Sequence, residues 1–495
     1  MSRTNISELT FAYDGSYDNI FTNASFAFDT DWKLGFCGRN GRGKTTFLKL
    51  LMGLYEYRGT ITAGVEFEYF PFEVKNQDRS TLEVLTEVTG GKPLWEIERE
   101  LSKLSLDLEI LNRAFANLSG GEKTKTLLCG LFLRENNFLL IDEPTNHLDM
   151  IGRSAVAKYL NGKKGYILVS HDRDFLDSCV DHILSINRAN IEVQKGNFSS
   201  WYYNKNLKDE YEQAENSRLK KEIKRLTVTA REKADWSYKS ESRIIGFDPR
   251  KVEKSTGRRP YEAAQSKKMM KRSKVIENRQ ERSIEEKSKL LKNIETADNL
   301  KIHPLKYHTN RLIELTDVAI YYGETLIKDS ISFSVHQGER ISISGSNGAG
   351  KTSILKLLTT PTSTPTFTGN LHIGSQLKIS YVPQDSSFLS GKLTDFAIEK
   401  GIDEALFKAI LRKLGFSRVQ FDKDMSDYSS GQKKKVLIAA SLCEHAHIYI
   451  WDEPLNYIDV LSRIQIEELI SKYQPTMIFV EHDSAFVRNI STRTV

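Results

Sequence analysis

Residues 38–45 read Gly-Arg-Asn-Gly-Arg-Gly-Lys-Thr, and residues 345–352 read Gly-Ser-Asn-Gly-Ala-Gly-Lys-Thr. Both match the pattern G-x-x-x-x-G-K-[ST]. Each follows a strand-like run (Leu34-Gly-Phe-Cys, Ile341-Ser-Ile-Ser) and precedes a helix-like one (Phe47-Leu-Lys-Leu-Leu, Ile354-Leu-Lys-Leu-Leu). Strand, glycine-rich loop and helix in that order form a phosphate-binding loop. The glycines let backbone N–H groups converge on phosphate oxygens at a helix N-terminus. Gly38, Asn40, Gly41, Gly43 and Thr46 are therefore expected to line a nucleotide, as are Gly345, Asn347, Gly348, Gly350 and Ser353. Lys44 and Lys351 are expected to reach the β- and γ-phosphates, and Thr45 and Thr352 to ligate Mg²⁺.

Working outward from these loops, further landmarks repeat in register. Phe138-Leu-Leu-Ile-Asp142-Glu143 and Ile448-Tyr-Ile-Trp-Asp452-Glu453 are apolar runs closed by paired acids, 98 residues after Lys44 and 101 after Lys351. His171 and His482 follow the first acid of each pair by 29 and 30 residues. One such loop could arise by chance. Two complete sets in the same order indicate a duplicated α/β domain. The 495 residues leave room for two to four domains at about 150 residues each. With 39% hydrophobic and 27% charged residues the chain reads as an ordinary soluble globular protein. No run approaches the ~18 apolar residues of a membrane span. The N-terminus has no apolar signal region. Cys37, Cys129, Cys179 and Cys443 are scattered, with no C-x-x-C pair. That spacing argues against iron–sulfur, structural zinc or disulfide roles, and for small buried hydrophobes in a reducing compartment.

These residues resemble the ATP-binding-cassette superfamily, over nearly the whole chain outside its middle segment. The distinguishing signature is Leu118-Ser119-Gly120-Gly121-Glu122, with Tyr428-Ser429-Ser430-Gly431-Gln432 as its counterpart. The resemblance implies two cassettes facing head to tail. Each ATP would lie between one phosphate loop and the opposite signature, contacting Ser119, Gly120 and Gly121, or Ser429 and Gly431. It implies that Tyr13 and Tyr322 stack on adenine and that Asp142 and Asp452 hold Mg²⁺. Glu143 and Glu453 would polarise the attacking water, and His171 and His482 would sense the γ-phosphate. Asp149 and Asp459 fall where the family has its D-loop. Gln384, in Tyr381-Val-Pro-Gln384, would contact Mg²⁺ and the water. Two departures fall in one composite site: Tyr69-Phe-Pro-Phe72 puts phenylalanine where the glutamine belongs, and Ser430 replaces a signature glycine. The fold expected is α/β, two P-loop ATP-binding-cassette domains joined by a long helical hairpin linker. The activity expected is Mg²⁺-dependent ATP hydrolysis, slower in the altered site.

The net charge of +6 hides an asymmetry. Residues 205–310 carry 28 Lys/Arg against 17 Asp/Glu, so the remainder is net acidic. Such a segment is an electrostatic footprint for nucleic acid. Leu207, Tyr211, Ala214, Leu219, Ile223, Leu226, Ala230 and Ala234 space as one helix over about 204–240, and a second is expected over roughly 261–298. Between them, Gly246, Pro249, Gly257 and Pro260 mark a tip at 241–260. The domains expected are a first cassette at 1–203, a linker at 204–310 and a second cassette at 311–495. Two cassettes, no membrane domain and a helical linker resemble the ABC-F class. Gly196-Asn197-Phe198 is similar to a class landmark, and no sequence suggests the extra arm of some housekeeping members. The long linker resembles the antibiotic-resistance, ribosome-protection branch. That resemblance implies a cytoplasmic, ribosome-associated monomer. Its linker would meet 23S rRNA and P-site tRNA near the tRNA exit site, using Ile244, Ile245, Phe247, Arg250, Lys251, Arg258, Arg259, Lys267 and Lys268. A housekeeping translation factor, the ATPase of an exporter and a DNA-associated structural ATPase are the competing readings.

Overall fold

Parallel strands covered on both faces carry both sets of landmarks. In the first half the strands are β1 (Arg3–Phe11), β2 (Phe21–Asp29), β3 (Lys33–Cys37), β4 (Arg58–Thr62), β5 (Glu66–Phe70), β6 (Asn137–Asp142), β7 (Tyr166–Val169), β8 (His182–Ile186) and β9 (Ile191–Lys195). One sheet runs β5-β6-β7-β3-β8-β9, parallel except at the β8–β9 edge, and a smaller antiparallel one runs β2-β1-β4. The second half repeats the plan with β10 (Arg311–Tyr322), β11 (Thr325–His336), β12 (Arg340–Ser342), β13 (Thr366–Ile373), β14 (Ile379–Val382), β15 (Ile448–Asp452), β16 (Met477–Val480) and β17 (Arg493–Thr494). Its sheets run β14-β15-β16-β12-β17 and β11-β10-β13. The structure, a computed structural model, describes residues 3–13, 19–135, 137–146, 148–186, 191–245, 268, 271, 274–275, 300–346, 348–360 and 365–495. Along 198–245 it describes side chains only to 225 and at 227–228.

Residues 138–142 and 448–452 are buried throughout, because both faces of each parallel sheet are covered, in the first half by the small antiparallel sheet with the helix Lys44–Leu51 on the face of Phe138 and Leu140, so the run before each aspartate is apolar. In each half the phosphate loop, the acid pair and the histidine leave the carboxyl ends of three adjacent strands: β3, β6 and β7, then β12, β15 and β16. That edge is where open α/β sheets place ligands. All four cysteines are free and buried. No helix among the described residues is long and apolar enough to cross a membrane.

The chain divides into two compact units, Met1–Trp201 with Ala297–Val495, and Tyr202–Thr296. The first therefore includes 297–310, which the charge pattern alone assigns to the linker. There Leu300 and Ile302 join the second cassette's core, and Leu305 N donates to Ala446 O at 2.8 Å. The linker helix is Phe198–Ile245, starting earlier than its periodicity suggests because Asn197 caps it, accepting from Ser200 N at 3.1 Å. Its apolar spacing misleads about the covered face. Leu207 and Tyr211 are 49% and 69% exposed. The partly covered positions include instead Tyr202, Asn206, Asp209, Glu212, Asn216, Leu219 and Ile223. Leu226, Ala230 and Ala234 lie among the undescribed side chains. So does the tip at 241–260, apart from the helical backbone of 241–245, and the second linker helix apart from helical residues 268, 271, 274 and 275.

One buried charge cluster stabilises the first cassette. Glu100, on the helix Leu94–Lys103, accepts from Lys103 Nζ (2.7 Å), Tyr159 Oη (2.8 Å) and Lys163. Burial raises its pKa, but these donors outweigh burial and hold the carboxyl at about 2. Glu100→Gln should lower stability at neutral pH by about 2 kcal/mol, since it leaves the partly buried Lys163 without its counter-charge and weakens the bond to Tyr159. A depressed folded-state pKa contributes stability above the unfolded value and loses it as pH falls toward 2. Urea midpoints of the two proteins should therefore differ at pH 7 and approach each other near pH 3.

Candidate functional site

The helices Lys44–Leu51 and Lys351–Thr359 begin directly after Gly43 (φ 90°) and Gly350 (φ 81°), and no side chain caps either. Their first-turn amides are thus left for an anion. A Cβ on Gly43 would sit 2.5 Å from Ile20 Cγ2, so only glycine fits. Lys44 Nζ donates to Gly38 O at 2.7 Å, and Lys351 Nζ donates to Gly345 O at 2.8 Å and Ser346 O at 2.9 Å. Both lysines fold over their own loop, where phosphate oxygens can take over as acceptors.

The acid pairs end β6 and β15. Glu143 and Glu453 adopt left-handed φ angles of 53° and 45°, uncommon for a residue with a side chain. Their N–H groups bond to Val169 O at 2.9 Å and Val480 O at 3.0 Å, which holds this strained turn in place. His171 Nε2 lies 3.2 Å from Glu143 Oε1, and His482 Nε2 lies 3.5 Å from Glu453 Oε1.

The two halves meet head to tail. A cavity of about 900 Å³ is lined by Ser119, Gly120 and Gly121 of the first cassette, and by Tyr322, Gly348, Gly350, Lys351, Thr352, Ser353, Gln384, Glu453 and His482 of the second. Ser119 caps the helix Gly120–Phe132 through a reciprocal pair with Glu122, so that helix N-terminus faces the same space. On the other side, Asn40 Nδ2 donates to Tyr457 O at 2.7 Å. A Cβ on Gly431 would meet Tyr457 O at 2.4 Å and Asn40 Nδ2 at 3.1 Å. The second signature, capped by Ser429, therefore packs against the first phosphate loop.

The Lys44 and Lys351 sites differ in chemistry. In the Lys351 site, Gln384 Nε2 (2.8 Å) and Asn456 Nδ2 (2.6 Å) donate to Glu453 Oε2. Burial raises the Glu453 pKa, but His482 and Gln384 outweigh it and hold the carboxyl below its ordinary range. In the Lys44 site Phe72 offers no such donor. There burial, then the neighbouring Asp142 charge, pushes Glu143 up to about 8. Asp142 Oδ2 accepts from Thr45 Oγ1 and from Tyr69 Oη, each at 2.9 Å. Asp452 is buried with neither carboxylate oxygen hydrogen-bonded, Thr352 facing it without meeting hydrogen-bond geometry.

The ABC transporter family profile matches residues 21–146 and 328–456, which takes in both phosphate loops and both acid pairs. The chain belongs to the ABC transporter family, as a tandem-cassette protein of the ABC-F kind. It is 27% identical over 484 residues to the ribosome protection protein VmlR of Bacillus subtilis, covering 96% of this chain and 83% of that one. It is 26% identical to the energy-dependent translational throttle protein EttA of Haemophilus influenzae, covering 96% and 88%. Among solved structures, an archaeal ribosome recycling factor, aABCE1, shares the fold at a TM-score of 0.61 and 19% identity, over 98% of this chain and 86% of that one.

The structure brings the expected cassette residues together, with informative exceptions. Tyr322 lines the cavity, whereas Tyr13 shares a 2.8 Å hydrogen bond with Thr46 Oγ1 and stands edge-on to Phe11 and Tyr55. Asn347, Phe247, Arg250, Lys251, Arg258, Arg259 and Lys267 lie outside the described residues, as do the side chains of Ile244 and Ile245; Lys268 is exposed. Sequence reasoning missed Tyr69, Tyr457 and Arg153. Arg153 Nη1 bonds to Asp172 Oδ2 at 2.9 Å and crosses to His482 O at 3.2 Å. The duplication carries a signal for it, because Arg153 and Arg463 each stand four residues after Asp149 and Asp459. Gly431→Ala should push Tyr457 O off Asn40 and loosen the Lys44 side of the contact. Hydrogen exchange of the amides at 40–46 should rise severalfold while that of β6 stays put; unchanged exchange at 40–46 would mean the contact does not hold the loop.

Proposed function

We propose that this protein is an Mg²⁺-dependent ATPase that binds the ribosome with its cassettes closed on ATP, and uses the linker tip at 241–260 to displace antibiotics from the peptidyl-transferase region. The observation that carries the ATPase reading is the cavity walled by one cassette's phosphate loop and the other's signature. Sandwiched there, ATP would draw the halves together, and loss of the γ-phosphate would release them. The ribosomal reading is supported by the basic segment between the cassettes and by the similarity to VmlR, whose name is ribosome protection protein. Lys and Arg bind phosphates, and apolar tip residues such as Ile244, Ile245 and Phe247 suit unstacked RNA bases.

Catalysis in this reading rests on positioning and electrostatics. Lys351 and the amides after Gly350 hold the phosphates. Glu453, kept ionised by Gln384 and His482, accepts a hydrogen bond from the attacking water and orients it in line. Tyr322 offers its ring to adenine. The buried, unpaired oxygens of Asp452, with Thr352 and Gln384 beside them, are a donor set that fits a hard divalent cation. Mg²⁺ bound there would neutralise charge on the β- and γ-phosphates. The Lys44 site keeps Glu143 and His171 but lacks the glutamine, and Ser430 stands where a signature glycine is expected, so its hydrolysis is slower.

In single-turnover assays Glu453→Gln should therefore depress ATP hydrolysis more than Glu143→Gln, by about tenfold or more. Equal losses would remove the inequality of the sites. The double variant, unable to cleave ATP, should co-sediment with ribosomes when ATP is present, and expression of the wild type should raise growth of a susceptible host on ribosomal antibiotics. Ribosome binding without protection would favour the translation-factor reading, and sedimentation with membranes the exporter reading. Neutralising Arg258, Arg259, Lys267 and Lys268 should weaken ribosome binding and flatten its salt dependence by up to about one log–log unit per lost phosphate contact. An unchanged slope would make the linker a spacer.

A further inference from the structure

The two strand-end aspartates are placed alike by the duplication but engaged differently. Asp142 Oδ2 takes two hydrogen bonds, from Thr45 Oγ1 and Tyr69 Oη, both 2.9 Å long. A carboxylate oxygen offers about two lone-pair directions, so this oxygen is fully used. Thr45 can keep its bond while its other lone pair faces a metal. Tyr69 is different: its hydroxyl takes up one of the acceptor positions of Oδ2 that a cation or its water would otherwise use. In the other half Tyr381 holds the corresponding place on β14 and is not bonded to Asp452, both of whose oxygens are free of hydrogen bonds. Gln384 adds an amide oxygen at the Lys351 site, and Phe72 adds nothing at the Lys44 site.

We propose that Tyr69 sets a weaker divalent-cation affinity at the Lys44 site than at the Lys351 site, making cation affinity a built-in difference between the two nucleotide positions. The inference rests on reading both positions as ATP sites. A hard cation competes for carboxylate oxygens. At the Lys44 site a cation drawn to Oδ2 competes with a phenol proton in a part-buried setting, where a bond to a charged acceptor is strong. At the Lys351 site it relieves a buried carboxylate that Thr352 faces without a well-formed hydrogen bond, a costly arrangement by itself. Both effects act in the same direction. The Lys351 position would then fill with cation first, and the Lys44 position would hold ATP with its metal loosely bound.

The test uses the full chain carrying Glu143→Gln and Glu453→Gln, so that bound ATP survives, with two ATP per chain and Mn²⁺ as a paramagnetic stand-in. Free Mn²⁺ is read by its EPR signal against an ATP-only control. Two classes of bound Mn²⁺ are expected, differing about tenfold, the equivalent of one charge-assisted hydrogen bond. Adding Tyr69→Phe, which keeps the ring and removes only the hydroxyl, should bring the weak class to within about threefold of the tight one. Adding Tyr381→Phe should leave both classes where they were. A single class in the parent protein would overturn the proposal, as would a weak class that Tyr69→Phe leaves unchanged or weakens further. ATP stoichiometry separates the two levels of failure. Fewer than two ATP per chain would sink the reading of the sites themselves, whereas two ATP with equal Mn²⁺ affinities would sink this inference alone.

Discussion

The 2.7 Å hydrogen bond from Asn40 Nδ2 to Tyr457 O joins the phosphate loop of one cassette to the loop preceding Asp459 in the other. It expresses the constraint on which the architecture depends, that neither half contains a whole nucleotide site. A phosphate loop supplies uncapped amides and one lysine, which suffice to hold an anion but leave one side of it open. The missing wall is a second helix N-terminus, and only the opposite cassette can bring it, capped by Ser119 or Ser429. The duplicated chain therefore has to fold back on itself. Both signatures then converge on the opposite loops, and the cross-cassette ion pair of Arg173 with Glu467 reinforces the contact away from the sites.

The landmarks were legible in the sequence because each has a fixed offset from a strand end. Asp142 and Asp452 close buried strands, so an apolar run followed by two acids finds them. The linker was less legible. Its mean composition is polar, so Leu207 and Tyr211 could be taken for a seam, while the face that is partly covered is made of Asn206, Asp209, Glu212 and Asn216 beside Leu219 and Ile223. Periodicity locates a helix well and its buried face poorly when few apolar residues are present. The engagement of Tyr69 was not legible at all. Tyrosine occupies the same place in both halves, and only the structure shows that one hydroxyl bonds an aspartate and the other does not.

That difference belongs to a wider inequality. In the Lys351 site the glutamate pKa is lowered and its carboxylate is held by two amides, the aspartate oxygens lack well-formed hydrogen bonds, and a cavity separates loop from signature. In the Lys44 site Glu143 is driven toward its neutral form by burial, Asp142 is bonded twice, and Asn40 and Tyr457 draw the walls together. The sequence departures at Phe72 and Ser430 fall in this second arrangement. Substitution, burial and hydrogen bonding thus agree that the two sites are chemically unequal, with the departures gathered in the Lys44 site.

A short covalent and hydrogen-bonded route joins the Lys44 site to the start of the linker helix. His171 is followed directly by the helix Arg173–Cys179. Asp177 on that helix accepts from Ser199 N at 2.8 Å and also from the Ser199 hydroxyl. Ser199 is the second residue of the linker helix, whose first turn is seated by buried Phe198 and Trp201 with ring centroids 5.4 Å apart. An α-helix is stiff along its axis, rising about 1.5 Å per residue, so a small rotation at its root is carried along its length. The root here is tied to the element that starts beside the histidine of the Lys44 site. The Asp177–Ser199 hydrogen bonds thus make the first turn of the linker helix continuous with the helix that starts beside His171, so neither can shift without straining the other.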